Sequence, residues 1–279
     1  MVKKLNIIVA VCLLILSGCT AKKNPVVHTA ECEKWVVDAY REWMKHDYRD
    51  TLLPAQLFTP EMWKKLGRLT AVTDADAMLR AQDYSDYGVE SVSCRHLGGD
   101  WYQVSYAWEE GGVPTVIPVR VKKIGDGYRF TDVTPYWGEW SGDSLFDIKP
   151  CGKVTQKDAL EFVRSFYCNY AYLYAMMVPD LEQKLQEMRQ KYCTETMLRT
   201  IAHTIEEMQG DIGGDCYDPV IMSCDFDIYW FDSLNVNELG EDSFAVSYRC
   251  SKDSEQRFKV TVVRQSDRWM INEVQSINE

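Results

Sequence analysis

Two aspartates stand where a general acid or base would be useful. Asp83 and Asp225 occupy matched positions in the two halves of the chain, and an aromatic residue, Tyr84 or Phe226, follows each. A half-buried carboxylate beside an aromatic ring has a raised pKa and can exchange a proton with a bound substrate. The alternative, which we favour, is that each aspartate accepts backbone N–H groups at a turn.

Four tyrosines recur at matched positions and are candidates for lining a pocket. Tyr40 corresponds to Tyr167, and Tyr106 corresponds to Tyr248. Their hydroxyl groups could bind a ligand between helices and sheet. Aromatic residues at helical or alternating spacing are more typical of a hydrophobic core, which is the interpretation we favour.

The sequence has none of the common motifs that hold a metal or a cofactor. CxxC, HExxH, P-loop and GxGxxG patterns are all missing, and these spacings are typical of zinc sites and phosphate-binding loops. The four histidines occupy unmatched positions, which favours surface or structural roles: His28, His46, His96 and His203. We expect neither a metal nor a cofactor.

The N-terminus has the pattern of a secretory signal. Lys3 and Lys4 precede a mostly apolar run over residues 5–16, which is shorter than the about 20 residues that span a bilayer. The run closes with Leu-Ser-Gly-Cys at residues 16–19, a tetrapeptide that resembles the lipobox of bacterial lipoproteins. The resemblance implies a signal peptide over 1–18, lipidation of Cys19 and a tether over 19–30. An ordinary signal peptide with a chance cysteine is the alternative.

A lipid on Cys19 would hold the protein at a membrane of the cell envelope. Lys22 and Lys23 follow the anchor without an acidic signal, which favours the outer membrane of a Gram-negative bacterium, facing the periplasm, over surface display. The formal net charge is −11, which argues against nucleic acid as a partner because phosphates require a basic surface.

Cysteine usage permits disulfides without assigning them. Ten cysteines become eight if Cys12 leaves with the signal and Cys19 is lipidated. An even count outside the cytoplasm favours pairing, with buried thiols as the alternative. The eight are Cys32, Cys94, Cys151, Cys168, Cys193, Cys216, Cys224 and Cys250.

The second half of the chain repeats the first. Asp76–Tyr106 aligns without a gap on Asp218–Tyr248, with ten identities in thirty-one positions. Asp76 and Asp218, the first residues of the alignment, are interpreted as turn residues. The repetition predicts three segments, which we call repeat 1 (31–136), a linker (137–154) and repeat 2 (155–279).

Each repeat is predicted to have helices followed by antiparallel strands. Apolar spacing predicts opening helices over Glu31–Tyr48 and Thr155–Met176, and second helices that begin after Thr59 and Thr194 as N-caps. Alternating patterns predict strands over Val89–Cys94, Trp101–Trp108, Val116–Ile124 and Tyr128–Val133, and a closing hairpin over Arg257–Val263 and Arg268–Val274. This order is that of an α+β fold with the helices on one face of a curved sheet.

The order of elements resembles the nuclear transport factor 2-like (cystatin-like) superfamily. The stretch Ala81-Gln82-Asp83-Tyr84 and the hairpin that ends at Val274 resemble, more narrowly, an uncharacterised lipoprotein family of that fold. The resemblance implies two tandem cone-shaped domains, each with a pocket between helices and sheet. Some relatives are isomerases, dehydratases or cyclases that use Asp, His and Tyr.

Duplication without a shared catalytic set favours a non-catalytic binding or interaction module. Its partner would be a small molecule or an envelope protein. The alternative is an isomerase-like or dehydratase-like enzyme with a pocket in one repeat, around Asp83 and Tyr40 or around Asp225 and Tyr167. Because domains of this superfamily often pair through their sheets, the resemblance also implies that the repeats form an intrachain pseudo-dimer.

Overall fold

The computed structural model describes residues 30–46, 52–136, 151–208, 217–223, 229–249 and 254–277. Repeat 1 contains α1 (Ala30–Lys45), α2 (Leu52–Leu57), α3 (Pro60–Thr73), α4 (Asp86–Ser91), β1 (Ser93–Gly98), β2 (Trp101–Tyr106), β3 (Thr115–Ile124) and β4 (Gly127–Val133). Repeat 2 contains α5 (Ala159–Ala175), α6 (Leu181–Tyr192), α7 (Glu195–Met208), α8 (Tyr229–Ser233), β5 (Asn235–Gly240), β6 (Ser243–Arg249), β7 (Glu255–Gln265) and β8 (Arg268–Ser276). The predicted α+β class is confirmed.

The two sheets are built alike, down to their hydrogen-bond register. Each has four antiparallel strands in sequence order, β1-β2-β3-β4 and β5-β6-β7-β8. Val119 pairs with Val133 in the first sheet, and Val260 pairs with Val274 at the matched place in the second. A register shift follows Arg120 in one sheet and Thr261 in the other. The two sheets therefore bend at the same point.

The second helices begin at the predicted caps. Thr59 Oγ1 accepts the N–H of Met62 at 3.2 Å, and Thr194 Oγ1 accepts the N–H of Met197 at 3.1 Å. Each threonine also donates its own N–H to the last strand of its sheet, to Phe130 O at 3.1 Å or Ile271 O at 2.9 Å. These bonds fix the helices on the sheet.

Two predicted boundaries are wrong. The helix predicted from Thr155 begins only at Ala159, because Asp158 is its N-cap and accepts the N–H of Glu161 at 2.8 Å. The strand predicted over Val89–Cys94 begins only at Ser93. The first half of that segment, residues 89–91, belongs to α4, because Ser85 caps a helical turn by accepting the N–H of Gly88 at 2.9 Å.

The interiors of the two repeats are filled in different ways. Met44 and Gly88 of repeat 1 correspond to Ala171 and Trp230 of repeat 2, so large and small residues exchange places. A Cβ atom on Gly88 would meet the Met44 terminal methyl group at 3.5 Å. Trp230 instead stacks on Tyr248, with ring centroids 3.9 Å apart. Both arrangements give a close-packed core.

A polar clasp joins the two repeats. Lys65 of α3 donates to Asp132 Oδ1 and to the carbonyl of Met176, both at 2.7 Å. Arg68, one turn later, donates to Glu182 Oε1 at 3.0 Å and to the carbonyl of Val178 at 2.9 Å. Lys65 is only 1% exposed, and burial lowers the pKa of its ammonium group against the opposing effect of Asp132. The pseudo-dimer stays a prediction.

The described part of the chain contains one disulfide. It joins Cys151 to Cys168 of α5, with Cα atoms 5.9 Å apart, and so fixes the chain before α5 on that helix. Cys32, Cys94 and Cys193 carry thiols.

Some predictions concern residues that the structure does not describe. The predicted signal peptide with Cys19, linker residues 137–150, and Cys216, Cys224 and Cys250 lie outside the described residues. Within the described ranges, no helix is long and apolar enough to cross a bilayer.

Candidate functional site

In repeat 1, two of the predicted tyrosines meet at one loop, residues 76–81. Tyr40 donates its hydroxyl hydrogen to the carbonyl of Met78 at 2.7 Å, and Tyr106 donates to the next carbonyl, Leu79 O, at 2.6 Å. Arg80 completes the turn with a left-handed φ of 56°. Burial raises the pKa of Tyr40 well above its ordinary value. Both hydroxyls hold the loop and do not face solvent.

Repeat 2 holds its loop, residues 218–223, with the matched pair. Tyr167 donates to the carbonyl of Val220 at 3.1 Å, and Tyr248 donates to the carbonyl of Ile221. Met222 has the same φ of 56° as its counterpart in the first loop. The shared structure is therefore a six-residue turn whose two successive carbonyls each bind a buried tyrosine.

The first residue of the second loop, Asp218, is a fully bonded carboxylate. Its Oδ2 accepts from Tyr170 at 2.8 Å, from Tyr174 at 2.7 Å and from Arg189 Nη2 at 2.8 Å. Its Oδ1 accepts the N–H of Val220 at 2.9 Å. Burial, with the Asp218 charge beside it, raises the pKa of Tyr170 and of Tyr174, so both stay protonated donors. A carboxylate with these partners, 3% exposed, is poorly placed to take a proton from a substrate.

The matched residue of the first loop, Asp76, has fewer partners to offset the charge of its carboxylate. Its Oδ2 accepts from Trp43 Nε1 at 3.0 Å, and its Oδ1 accepts the N–H of Met78 at 2.7 Å. The position that corresponds to Arg189 is Pro54, which carries no charge. Asp76 is half-buried, and burial raises its pKa against the effect of its hydrogen bonds. These are the properties that a catalytic role at Asp83 would require.

Asp83 lies elsewhere. It is exposed, and its Oδ1 accepts the N–H of Tyr84 at 2.8 Å. The exposed position differs from the half-buried one that a catalytic role would require. Its counterpart, Asp225, falls outside the described residues.

Sequence reasoning missed four side chains that bond the loop acids: Trp43, Tyr170, Tyr174 and Arg189. Trp43 and Tyr170 are matched positions in the opening helices, and both present a ring donor to the loop acid. The repeat alignment could have paired them. Arg189 lies in α6, where repeat 1 has only the shorter α2, so the alignment carried no signal for it.

Two surface grooves lie on repeat 2, and none of the four tyrosines lines either one. The first, of about 610 Å³, lies between the start of α5 and the β5–β6 turn, and five of its lining residues are acidic: Asp158, Glu161, Glu238, Glu241 and Asp242. The second, of about 870 Å³, crosses the sheet and is lined largely by polar residues such as Asn235, Asn237, Ser247 and Gln256. No group of three or more His, Cys, Asp or Glu within the described ranges is arranged to hold a metal ion.

Comparison with known proteins gives little further information. No protein-family model matches this chain. No curated protein matches it either. Among solved structures, it is similar to a protein of unknown function from Bacteroides thetaiotaomicron, with 30% identity over 38% of this chain and 89% of that chain and a TM-score of 0.34. No activity is stated for that protein, so none can be carried to this chain.

Proposed function

We propose that this protein is a lipid-anchored component of the bacterial cell envelope that acts as a non-catalytic binding or interaction module. Its two repeats would be tandem domains of the nuclear transport factor 2-like type, held at the outer membrane by a lipid on Cys19. The sequence Leu-Ser-Gly-Cys at residues 16–19 supports the anchor. The filled interior of both repeats supports the absence of catalysis.

The observation that carries the proposal is the use of the four tyrosines. In an enzyme of this fold, polar groups would point into a pocket to meet the substrate. Here all four tyrosines are buried and donate their hydroxyl hydrogens to loop carbonyls: Tyr40, Tyr106, Tyr167 and Tyr248. A partner is therefore expected on the outer surface.

One end of repeat 1 offers such a surface. We call it the aromatic end, and it consists of Tyr84, Tyr87, Trp108 and Val113. Trp108 is 47% exposed and Val113 is 91% exposed. Ser85 joins the segment before α4 to the β2–β3 loop by donating to the carbonyl of Trp108. Exposed aromatic residues of this kind are enriched where proteins bind partners.

Acidic residues flank the aromatic end: Asp83, Asp86, Glu109 and Glu110. A complementary partner surface would be apolar at its centre and basic at its margin. The variant Tyr84→Ser/Tyr87→Ser/Trp108→Ser should reduce partner recovery after cross-linking in intact cells by at least tenfold. The control is Leu97→Ser/Ile124→Ser, which removes two exposed apolar side chains from the opposite end of the sheet. Equal recovery from both variants would exclude the aromatic end as the binding surface.

The anchor has its own test. Cells fed a radiolabelled or alkyne-tagged fatty acid should label the wild-type protein, and Cys19→Ser should abolish that label and release the protein from the membrane fraction. A labelled Cys19→Ser variant would contradict lipidation at this residue. This outcome does not depend on which partner the protein binds.

Asp76 favours a second candidate, an isomerase-like or dehydratase-like enzyme with its site in repeat 1. A half-buried carboxylate with a raised pKa is a typical general acid or base. Native mass spectrometry of protein purified from its own envelope would test this. A bound small molecule that is lost from Asp76→Asn but retained by the aromatic-end variant would favour the enzyme.

A further inference from the structure

The first helix of repeat 1 lies on the first strand of its sheet, and each of the two elements carries one cysteine near that contact. Glu33 Oε1 of α1 accepts the N–H of His96 of β1 at 3.0 Å. Cys32 is the neighbour of Glu33 in α1. Cys94 lies two residues before His96 in β1, so its side chain points to the same face of the strand.

Tyr102 ties the two cysteines to one place. Its hydroxyl is hydrogen-bonded to Cys32, which is 3% exposed. In the β1–β2 ladder His96 pairs with Tyr102 and Cys94 pairs with Val104, so Cys94 and Tyr102 are diagonal neighbours on one face. After burial and Glu33, Cys32 is a further group that raises the pKa of Cys94. Both therefore lie in the layer between α1 and the sheet.

Repeat 2 shows that packing alone does not require sulfur at these positions. The residues that correspond to Cys32 and Cys94 are Ala159 and Val236, and α5 packs on β5 as α1 packs on β1. Val236 pairs with Val246 in the same register as Cys94 with Val104. Both cysteines are present in one copy, and both are replaced by apolar residues in the other.

We propose that Cys32 and Cys94 form a second disulfide, which joins α1 to β1. The oxidant is a small or protein disulfide. The Cys94 thiolate attacks one of its sulfurs and releases one thiol, and the Cys32 thiolate then attacks Cys94 Sγ and releases the second thiol. Two protein thiols and one disulfide thus become one protein disulfide and two thiols.

Burial determines when the bond can form. It raises the pKa of Cys94 to about 12 and also raises the pKa of Cys32, so little thiolate exists at neutral pH in the folded protein. Because the thiolate is the nucleophile, oxidation of the folded, reduced protein is slow. Oxidation is faster during folding, before α1 covers the strand.

The experiment is refolding of the reduced full-length chain in a glutathione redox buffer, followed by alkylation and non-reducing peptide mapping. We expect a Cys32–Cys94 linked peptide beside the Cys151–Cys168 one, and a melting temperature roughly 5–10 °C above that of a chain held reduced at the first pair. The matched control is Cys32→Ala/Cys94→Val, which installs the residues of repeat 2. This variant should fold, and oxidation should not raise its melting temperature by this amount.

Recovery of Cys32 and Cys94 both alkylated, in protein whose Cys151–Cys168 bond has formed, would overturn the proposal. A link from either residue to Cys193 would overturn it equally. If refolding fails, the same mapping is performed on protein isolated without reductant. The inference goes beyond the proposed function, since the refolding result depends on neither lipidation nor a partner.

Discussion

In repeat 2 the loop acid Asp218 meets a guanidinium group, whereas in repeat 1 its counterpart Asp76 meets an indole N–H. The tyrosines that bind the loop carbonyls are the same in both copies, so the copies differ in how each offsets the charge of its loop acid. Desolvation of a carboxylate is costly unless a cation or several donors replace water. Repeat 2 supplies both and buries the acid fully, while repeat 1 supplies the indole N–H of Trp43 and backbone N–H groups and leaves the acid half-buried. The difference indicates that the turn is the shared element and the charge around it is free to diverge.

The largest effect is expected from breaking the ion pair. Arg189→Met would leave Asp218 buried beside two tyrosines without its cation, and removal of one partner of a buried pair costs about 3–5 kcal/mol of unfolding free energy. Urea unfolding at neutral pH measures this. The double variant Arg189→Met/Asp218→Asn should lose less than the sum of the single variants. A loss below about 1 kcal/mol for Arg189→Met would show that this pair does not distinguish the repeats.

The second-largest loss of unfolding free energy is expected from breaking the clasp between the repeats. Lys65→Met keeps the aliphatic volume but removes the ammonium donor from Asp132 and from the Met176 carbonyl, so we expect a loss of about 2–3 kcal/mol of unfolding free energy. The control is Thr200→Met, because Thr200 is the exposed residue at the corresponding place in repeat 2. Equal unfolding free energies for Lys65→Met and Thr200→Met would show that the clasp does not make the two repeats differ in stability.

The tyrosines test the similarity of the repeats. Tyr106→Phe and Tyr248→Phe each leave a loop carbonyl without its donor, and each should cost about 1–2 kcal/mol. We expect the two losses to agree within about 0.5 kcal/mol. Tyr84→Phe, at an exposed tyrosine, is the reference. Unequal losses would mean that the two turns are held differently despite their common geometry.

The smallest effect concerns pH. The pKa of Asp76 is raised above its ordinary value of 3.8, so between these two values the folded state binds more protons than the unfolded state. Its contribution to the unfolding free energy is therefore greatest below pH 3.8 and falls as pH rises through the folded pKa. Asp76→Asn cannot titrate. The wild-type minus variant difference in unfolding free energy should fall with rising pH and then level off. A difference that rises with pH would contradict the shift.

The sheets were predictable because their signals are local. Alternation over Trp101–Tyr106 and the turn around Asp267 specify strands and register within a few residues. The N-cap at Thr59 was predictable for the same reason, since its hydroxyl accepts the N–H of a residue only three positions later. By contrast, α4 has six residues, fewer than two helical turns, and so short a segment cannot show a helical period.

The loop acids were not predictable as a site. Their partners come from other helices: Trp43 from α1, and Tyr170 and Arg189 from α5 and α6. No spacing in the sequence links these residues, because the fold alone brings them together. Asp76 and Asp83 are both matched in the second repeat, and the aromatic residue after Asp83 favoured that position, whereas the geometry distinguishes Asp76 by its burial.

The clasp at Lys65 also makes the interior of repeat 1 depend on repeat 2. One acceptor of this buried ammonium group is the carbonyl of Met176, at the C-terminal end of α5. A chain that ends before α5 lacks that acceptor, so we expect repeat 1 alone to be less stable than repeat 1 within the full chain.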